Sequence, residues 1–281
     1  KYMKKNIIKY IHLIFYISIS ILNINHAFSS LITEETPDWP ADTEFFLSCH
    51  SEDLFFKSSF PHTDLIESFN LYANARNEYE KNPCDINIEK INNTENALKT
   101  LIKTSQKEDI NAQTDLFFGA TLLHGISFLD FIRNIDISED AGIFSLFSLL
   151  KEKGGDFLKK NERNDTPLHY AAGHGSEYNI KWLLLKNDHI KTQINAQGEH
   201  GRTPLHIAAK YAPGFSESRA PVIATLILFG ASLTTKDSDG KTPLDLYKDQ
   251  ISILYSQKKP PSSMRLSIGL LNGSIKPEWR S

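Results

Sequence analysis

One short phrase recurs along the chain and constrains what it can fold into. Thr166-Pro-Leu-His-Tyr-Ala-Ala172 and Thr203-Pro-Leu-His-Ile-Ala-Ala209 are nearly the same heptad. Thr242-Pro-Leu-Asp-Leu-Tyr247 is a third copy and Thr121-Leu-Leu-His-Gly-Ile126 a degenerate fourth. Each residue type has a local reason. Threonine caps a helix, and proline sits in its first turn, where the missing N–H costs nothing. Leu168, Leu205 and Leu244 are expected to be buried between neighbouring units, and the alanine pairs let two helices approach closely. Gly201 and Gly240 supply a turn just before the phrase, where a positive φ is cheap, and Asn164 stands in that place one copy earlier. A unit of this kind cannot bury its apolar face alone, so the copies are expected to stack into a linear array.

The match extends beyond the phrase. Gly230-Ala-Ser-Leu-Thr-Thr-Lys-Asp-Ser-Asp-Gly-Lys-Thr-Pro-Leu244 and Ile194-Asn-Ala-Gln-Gly-Glu-His-Gly-Arg-Thr-Pro-Leu-His206 run from a helix end through a finger to the next helix. These residues resemble the ankyrin repeat, whose signature is Thr-Pro-Leu-His-x-Ala within a period of about 33 residues. The resemblance implies an all-α chain: an ankyrin-repeat α-solenoid of about four to five divergent repeats, with helix–turn–helix units, β-hairpin fingers and a divergent helical cap. It also implies that His169, His206 and His124 hydrogen-bond local backbone across adjacent fingers rather than gather around a metal. The four threonines are 45, 37 and 39 residues apart. The excess over one period falls at connections: around 131–141 before a helix over 142–151, after Leu185 in 187–192, and in 210–220 before a helix over 222–229.

The repeats are expected over residues 96–258. Upstream, Glu95–Thr104 reads as the second helix of a further unit, with its first helix inside 63–80, where Leu65, Ile66 and Phe69 have helical spacing. Residues 28–95 as a whole read as a divergent helical cap. Lys258-Lys-Pro-Pro-Ser-Ser263 breaks any helix. Residues 259–281 are therefore expected to be a flexible tail with at most a short docked stretch around Leu266–Leu271.

The N-terminal end has a different character. Lys1, Lys4, Lys5 and Lys9 precede an uncharged apolar run to Leu22, with Ala27 a few residues on. That is the layout of a secretory signal peptide over residues 1–27, or of a membrane anchor if it is not cleaved, with contact to a membrane confined to residues 7–27. Either reading places the bulk of the protein outside the cytoplasm: periplasmic, secreted or host-targeted, or anchored by its N-terminus. An oxidising compartment would permit Cys49 and Cys84 to form a disulfide; two separate thiols are the alternative.

The overall charge of −3 conceals this distribution. The first 27 residues hold four lysines and no acid, and the last 24 hold five bases and one acid, leaving −11 for residues 28–257. An acidic solenoid argues against nucleic acid as partner, since such binding is driven by phosphate neutralisation.

No phosphate-cradling glycine loop, zinc spacing or catalytic constellation lies on the repeat, so the sequence reads as non-enzymatic, with no cofactor and no bound metal. The resemblance implies binding of another protein, and for an exported chain of an intracellular bacterium a host-directed one. The residues expected to carry contacts are those the repeat does not need for itself. At the fingertips these are Glu162, Arg163, Glu199, His200, Arg202, Asp237, Ser238 and Lys241. On the inner helices they are Tyr170, His174, Lys210, Tyr211 and Tyr247, with Phe215 at the tip of a lengthened loop. A second reading makes 28–95 a small catalytic or regulatory domain using Cys49, His50, His62 and Asp64, with the repeats as its targeting module.

Overall fold

The computed structural model describes residues 63–114, 118–129, 142–174, 177–214, 219–255 and 264–278. Within them ten helices form five consecutive pairs: α1 (Thr63–Lys81) with α2 (Asp85–Thr104), α3 (Leu122–Phe128) with α4 (Gly142–Glu152), α5 (Pro167–His174) with α6 (Glu177–Lys186), α7 (Pro204–Tyr211) with α8 (Ala220–Leu228), and α9 (Pro243–Leu254) with α10 (Met264–Leu271). First helices pack on first helices, α3 on α5 on α7 on α9. Second helices do the same, α2 on α4 and α6 on α8 on α10. This is the all-helical solenoid expected from the repeated phrase.

The threonines begin the first helices as their chemistry requires. Thr203 and Thr242 are extended and accept a hydrogen bond from the backbone N–H three residues on, at 3.4 and 3.3 Å. Ala171, Ala172, Ala208 and Ala209 are fully buried, and so is Leu205. Leu244 is only half-buried, because no further first helix covers it among the described residues. The outer layer is filled by aromatics where the alanines leave off. Phe147 of α4 stacks on Trp182 of α6 at 4.9 Å, and Phe157 of the intervening finger closes on the same indole at 6.0 Å.

The fingers are simpler than the expected β-hairpins. Each is a tight turn closed by two backbone hydrogen bonds: Asn161 N–H to the Asp165 carbonyl (2.9 Å) with Asn164 N–H to the Asn161 carbonyl (3.0 Å), Gly198 to Arg202 (2.8 Å) with Gly201 to Gly198 (3.1 Å), and Asp237 to Lys241 (2.9 Å) with Gly240 to Asp237 (3.0 Å). Bonds confined to the turn do not build the alternating ladder of a strand pair, and no strand occurs among the described residues. Asn164, Gly201 and Gly240 do take positive φ of 64°, 67° and 74°.

Two expected boundaries shift. Residue 95 falls inside α2, so the division between cap and repeats does not coincide with a break in structure; α1 and α2 already form a pair. Within the C-terminal tail, the short docked stretch expected around Leu266–Leu271 falls inside α10. Met264, Leu270 and Leu271 are buried as α10 packs on α8, and Gly273 ends that helix with φ of 74°, as Gly230 ends α8 with φ of 97°. The tail thus supplies the second helix of the last pair. The exposed side of α9 carries Asp245, Lys248 and Ser252, with Ile253 and Leu254 also exposed near its end. No helix among the described residues is long and apolar enough to cross a membrane. Residues 1–27, Cys49, His50, His62 and Phe215 lie outside the described residues.

Candidate protein-binding face

Three buried histidines fix the fingers to the helices behind them. In each case the ring nitrogen Nδ1 accepts the backbone N–H of the capping threonine, at 3.1 Å in His124 and His169 and 3.2 Å in His206. An accepting Nδ1 leaves the proton on Nε2, which donates to a carbonyl of the next finger: His124 to Asp165 (3.0 Å), His169 to Arg202 (3.1 Å) and His206 to Lys241 (3.1 Å). Burial lowers the pKa of all three, to about 4 for His124 and His169, so the rings are neutral at physiological pH. The expected backbone role of these histidines is what the structure shows. At the fourth position Asp245 keeps the inward half of the arrangement, accepting from Thr242 N–H at 3.0 Å and from its hydroxyl at 2.7 Å.

The fingertips are tied to one another as well. Glu162 N–H donates to the Phe118 carbonyl at 2.7 Å, and Ser238 N–H to the His200 carbonyl at 2.8 Å. Arg163 bridges three fingers: its guanidinium lies over the Phe118 ring and pairs with Glu199 at 3.0 Å. Phe118 and His200 hold φ of 59° and 54°, a conformation uncommon for such residues, and each precedes a glycine of positive φ. Phe118 was not singled out from sequence. It stands three residues before its threonine, as Arg163, His200 and Asp239 stand before theirs, and that register is the signal that finds it.

The expected contact residues divide clearly. Glu162, His200 and Ser238 are exposed; Arg163, His174, Glu199, Tyr211 and Lys241 are half-buried. Lys241 pairs with Asp249 at 2.9 Å, which raises its pKa. His174 packs on Phe128 at 4.1 Å.

Five others are buried, which corrects the expectation that the repeat does not need them. Tyr170 is 4% exposed, inserted against Ala120 and Phe128, with its hydroxyl accepting from Asn161 at 3.0 Å. Tyr247 is 1% exposed and occupies the place that Ala171 and Ala208 fill in earlier units. Asp237 accepts from Asp239 and Lys241 N–H at 3.0 and 2.9 Å, holding its own finger, and lies 3.6 Å from Arg202. Arg202 is buried beside it. Lys210 runs along the inner wall with its ammonium 5.4 Å from the Tyr211 ring centre. Asp64 is exposed in the first turn of α1, and Cys84 is half-buried just before α2.

Between α5 and α7 lies a small groove of about 30 Å³. Tyr170, Glu199, Arg202, Lys210 and Tyr211 line it, together with Asp165, His169 and Ile207. The structure therefore brings five of the expected residues to one place, and two acids and two bases meet there. Asp165 was missed. Its Oδ1 accepts Glu199 N–H at 3.1 Å, and burial raises its pKa. Gly198 leaves room for it: a Cβ there would lie 2.0 Å from Asp165 Oδ1. Among the described residues, no group of three or more His, Cys, Asp or Glu side chains could hold a metal ion.

Residues 137–237 match the family model for ankyrin repeats, in three copies. The chain is similar to an ankyrin repeat protein of Rickettsia bellii, 32% identical over 154 residues, which is 53% of this chain and 56% of that one. A second ankyrin repeat protein of the same bacterium is 30% identical over 115 residues, 40% of this chain and 61% of the other. The chain thus spans little more than half the length of these relatives. A homolog of transient receptor potential cation channel subfamily A member 1 from Caenorhabditis elegans is 44% identical over 63 residues, only 4% of its length.

Proposed function

We propose that this ankyrin repeat protein is a non-enzymatic scaffold that holds another protein on the face formed by its fingertips and first helices. The observation that carries the reading is the row of exposed fingertips, Glu162, His200 and Ser238, beside the half-buried Glu199 and Tyr211 at the groove between α5 and α7. The fingers are joined by backbone bonds and the histidine bridges, so this face is preorganised, which lowers the ordering cost of binding. The matched ankyrin repeats, which bind proteins as a class, support it. A photo-crosslinking residue placed at His200 or Tyr211 should yield a discrete protein adduct in cells of the producing organism or its host. The same residue at Tyr178 or Leu185, exposed on α6, should not. Equal adducts from both faces, or none from either, would overturn the assignment.

Export belongs to the same proposal and rests on the basic start and apolar run of residues 1–27. An exported chain made by a bacterium living inside another cell would meet host proteins as its partners. The N-terminal residue of the protein recovered from cell fractions decides it. A start at Phe28 supports export, an intact N-terminus in membranes supports an anchor, and an intact N-terminus in the cytoplasm contradicts both.

A further inference from the structure

The groove between α5 and α7 contains a buried carboxylate with no ion-pair partner of its own among the described residues. Asp165 is only 7% exposed, and it is held there by the Glu199 N–H on Oδ1. The cations that act on it are Arg163, His200 and Arg202. Both arginines are committed elsewhere, Arg163 to Glu199 at 3.0 Å and Arg202 to Asp237 at 3.6 Å. Asp165 itself forms no ion pair among the described residues. A buried carboxylate without a partner is costly, and its charge becomes favourable when a cation is brought to it. Burial has already raised its pKa, the direction that a bound cation would reverse.

We propose that the groove at Asp165 receives the cationic head of a lysine or arginine side chain from the bound protein, the Asp165 carboxylate being its ion-pair partner. Charge and size both favour this occupant. Glu199 stands beside Asp165 at the groove wall. Lys210 also lines the groove, but its ammonium already lies against Tyr211. The 30 Å³ of space suits a guanidinium or ammonium group and excludes a whole small-molecule ligand, a single water needing about 10–15 Å³.

The proposal rests on the protein-binding reading and can fail separately from it. The test is a titration of the ¹⁵N-labelled full chain with Nα-acetyl-arginine amide, Nα-acetyl-lysine amide and the uncharged isostere Nα-acetyl-citrulline amide. The Glu199 amide, bonded to Asp165, is the reporter. A saturable shift of that amide with the arginine or lysine compound is expected, with a dissociation constant of about millimolar for ligands this small. The citrulline compound should leave it unmoved. Asp165→Asn retains an oxygen for the Glu199 N–H while removing the charge, and should abolish the response without lowering the melting temperature. An equal response to citrulline, an unchanged response in Asp165→Asn, or no saturable shift of Glu199 with either cation would overturn the proposal. The comparison of arginine with citrulline needs no variant, so it stands even if Asp165→Asn fails to fold. Loss of the cation response with fingertip crosslinking intact would remove this subsite and leave the binding face.

Discussion

The Nε2 of His169 donates to the carbonyl oxygen of Arg202, 3.1 Å away in the next finger, while its Nδ1 accepts the N–H of Thr166 in its own. One fully buried side chain thereby satisfies the start of α5 and locks two successive fingers in register. Such a bridge, repeated at His124 and His206, makes the fingertip face a rigid surface rather than a set of independent loops.

Replacing His169 with alanine therefore does more than remove packing. It leaves the buried Thr166 N–H without its partner, at roughly 1–3 kcal/mol, and leaves the Arg202 carbonyl with the Gly198 N–H alone. Urea denaturation should show a loss of about 3 kcal/mol. Hydrogen exchange should show the fingers at 161–165 and 198–202 opening together. A loss below about 1 kcal/mol would mean that the bridge is incidental.

Acid should weaken the fold through these same rings. The folded pKa values of His124 and His169, about 4, lie below the unfolded value of about 6.5. Between those values the unfolded chain binds more protons, so the stabilisation is complete above pH 6.5 and is lost as pH falls toward 4. The upper limit is roughly 3 kcal/mol for each ring at 1.36 kcal/mol per pKa unit. The raised pKa of Asp165 works in the opposite sense, contributing stability as pH falls through its folded value. Denaturation midpoints from pH 7.5 to 4 should decline over this window, and in His169→Ala the decline should be smaller by about a third to a half, His124 and His206 remaining. A flat profile would contradict the neutral, buried assignment of the histidines.

Gly198 is required by a close approach. An added Cβ would sit 2.0 Å from Asp165 Oδ1 and 3.0 Å from His169 Nε2. Gly198→Ala should cost about 2 kcal/mol or more, within the range for overpacked sites. Adding Asp165→Gly should recover part of that loss. A double-mutant cycle measures the coupling, and additive effects would place the strain elsewhere.

The C-terminal helix should contribute to the stability of the whole stack. Leu270 is 2% exposed where α10 meets α8, so Leu270→Ala should cost about 2–4 kcal/mol. Its melting curve checks this, and a change below about 0.5 kcal/mol would mean that α10 is peripheral.

Much of this architecture is legible in the chain because the repeat is local. Thr166, Pro167, His169 and Asn164 each answer a need of their own turn or helix, so reading one heptad predicts the others. The site is less legible because exposure depends on neighbouring repeats. Tyr170 and Ile207 share a register, yet the tyrosine is buried against Phe128 and Asn161 whereas the isoleucine remains half-buried beside the groove. Tyr247 stands where the earlier units hold alanine, a discrepancy visible in the aligned phrases that signals burial rather than an anchor. Asp237 matches Asn161 in register, and both use a side-chain oxygen to hold their own finger. The helix α10 carries no Thr-Pro-Leu-His phrase, since that phrase marks first helices only. Its sequence cue is Leu270-Leu271-Asn272-Gly273, which repeats the helix-ending glycine of Leu228-Phe229-Gly230.

The central claim is that a protein partner is held on the fingertip face and not on the outer helices. It is tested most directly with the partner captured through His200 or Tyr211, by measuring its affinity for full-length variants on each face. Tyr211→Ala and His200→Ala should weaken binding, at least one of them by about tenfold or more, the loss expected of a dominant interface residue. Tyr178→Ala and Leu185→Ala should change it less than about twofold. The reverse pattern, with the α6 variants losing affinity and the fingertip variants retaining it, would contradict the account.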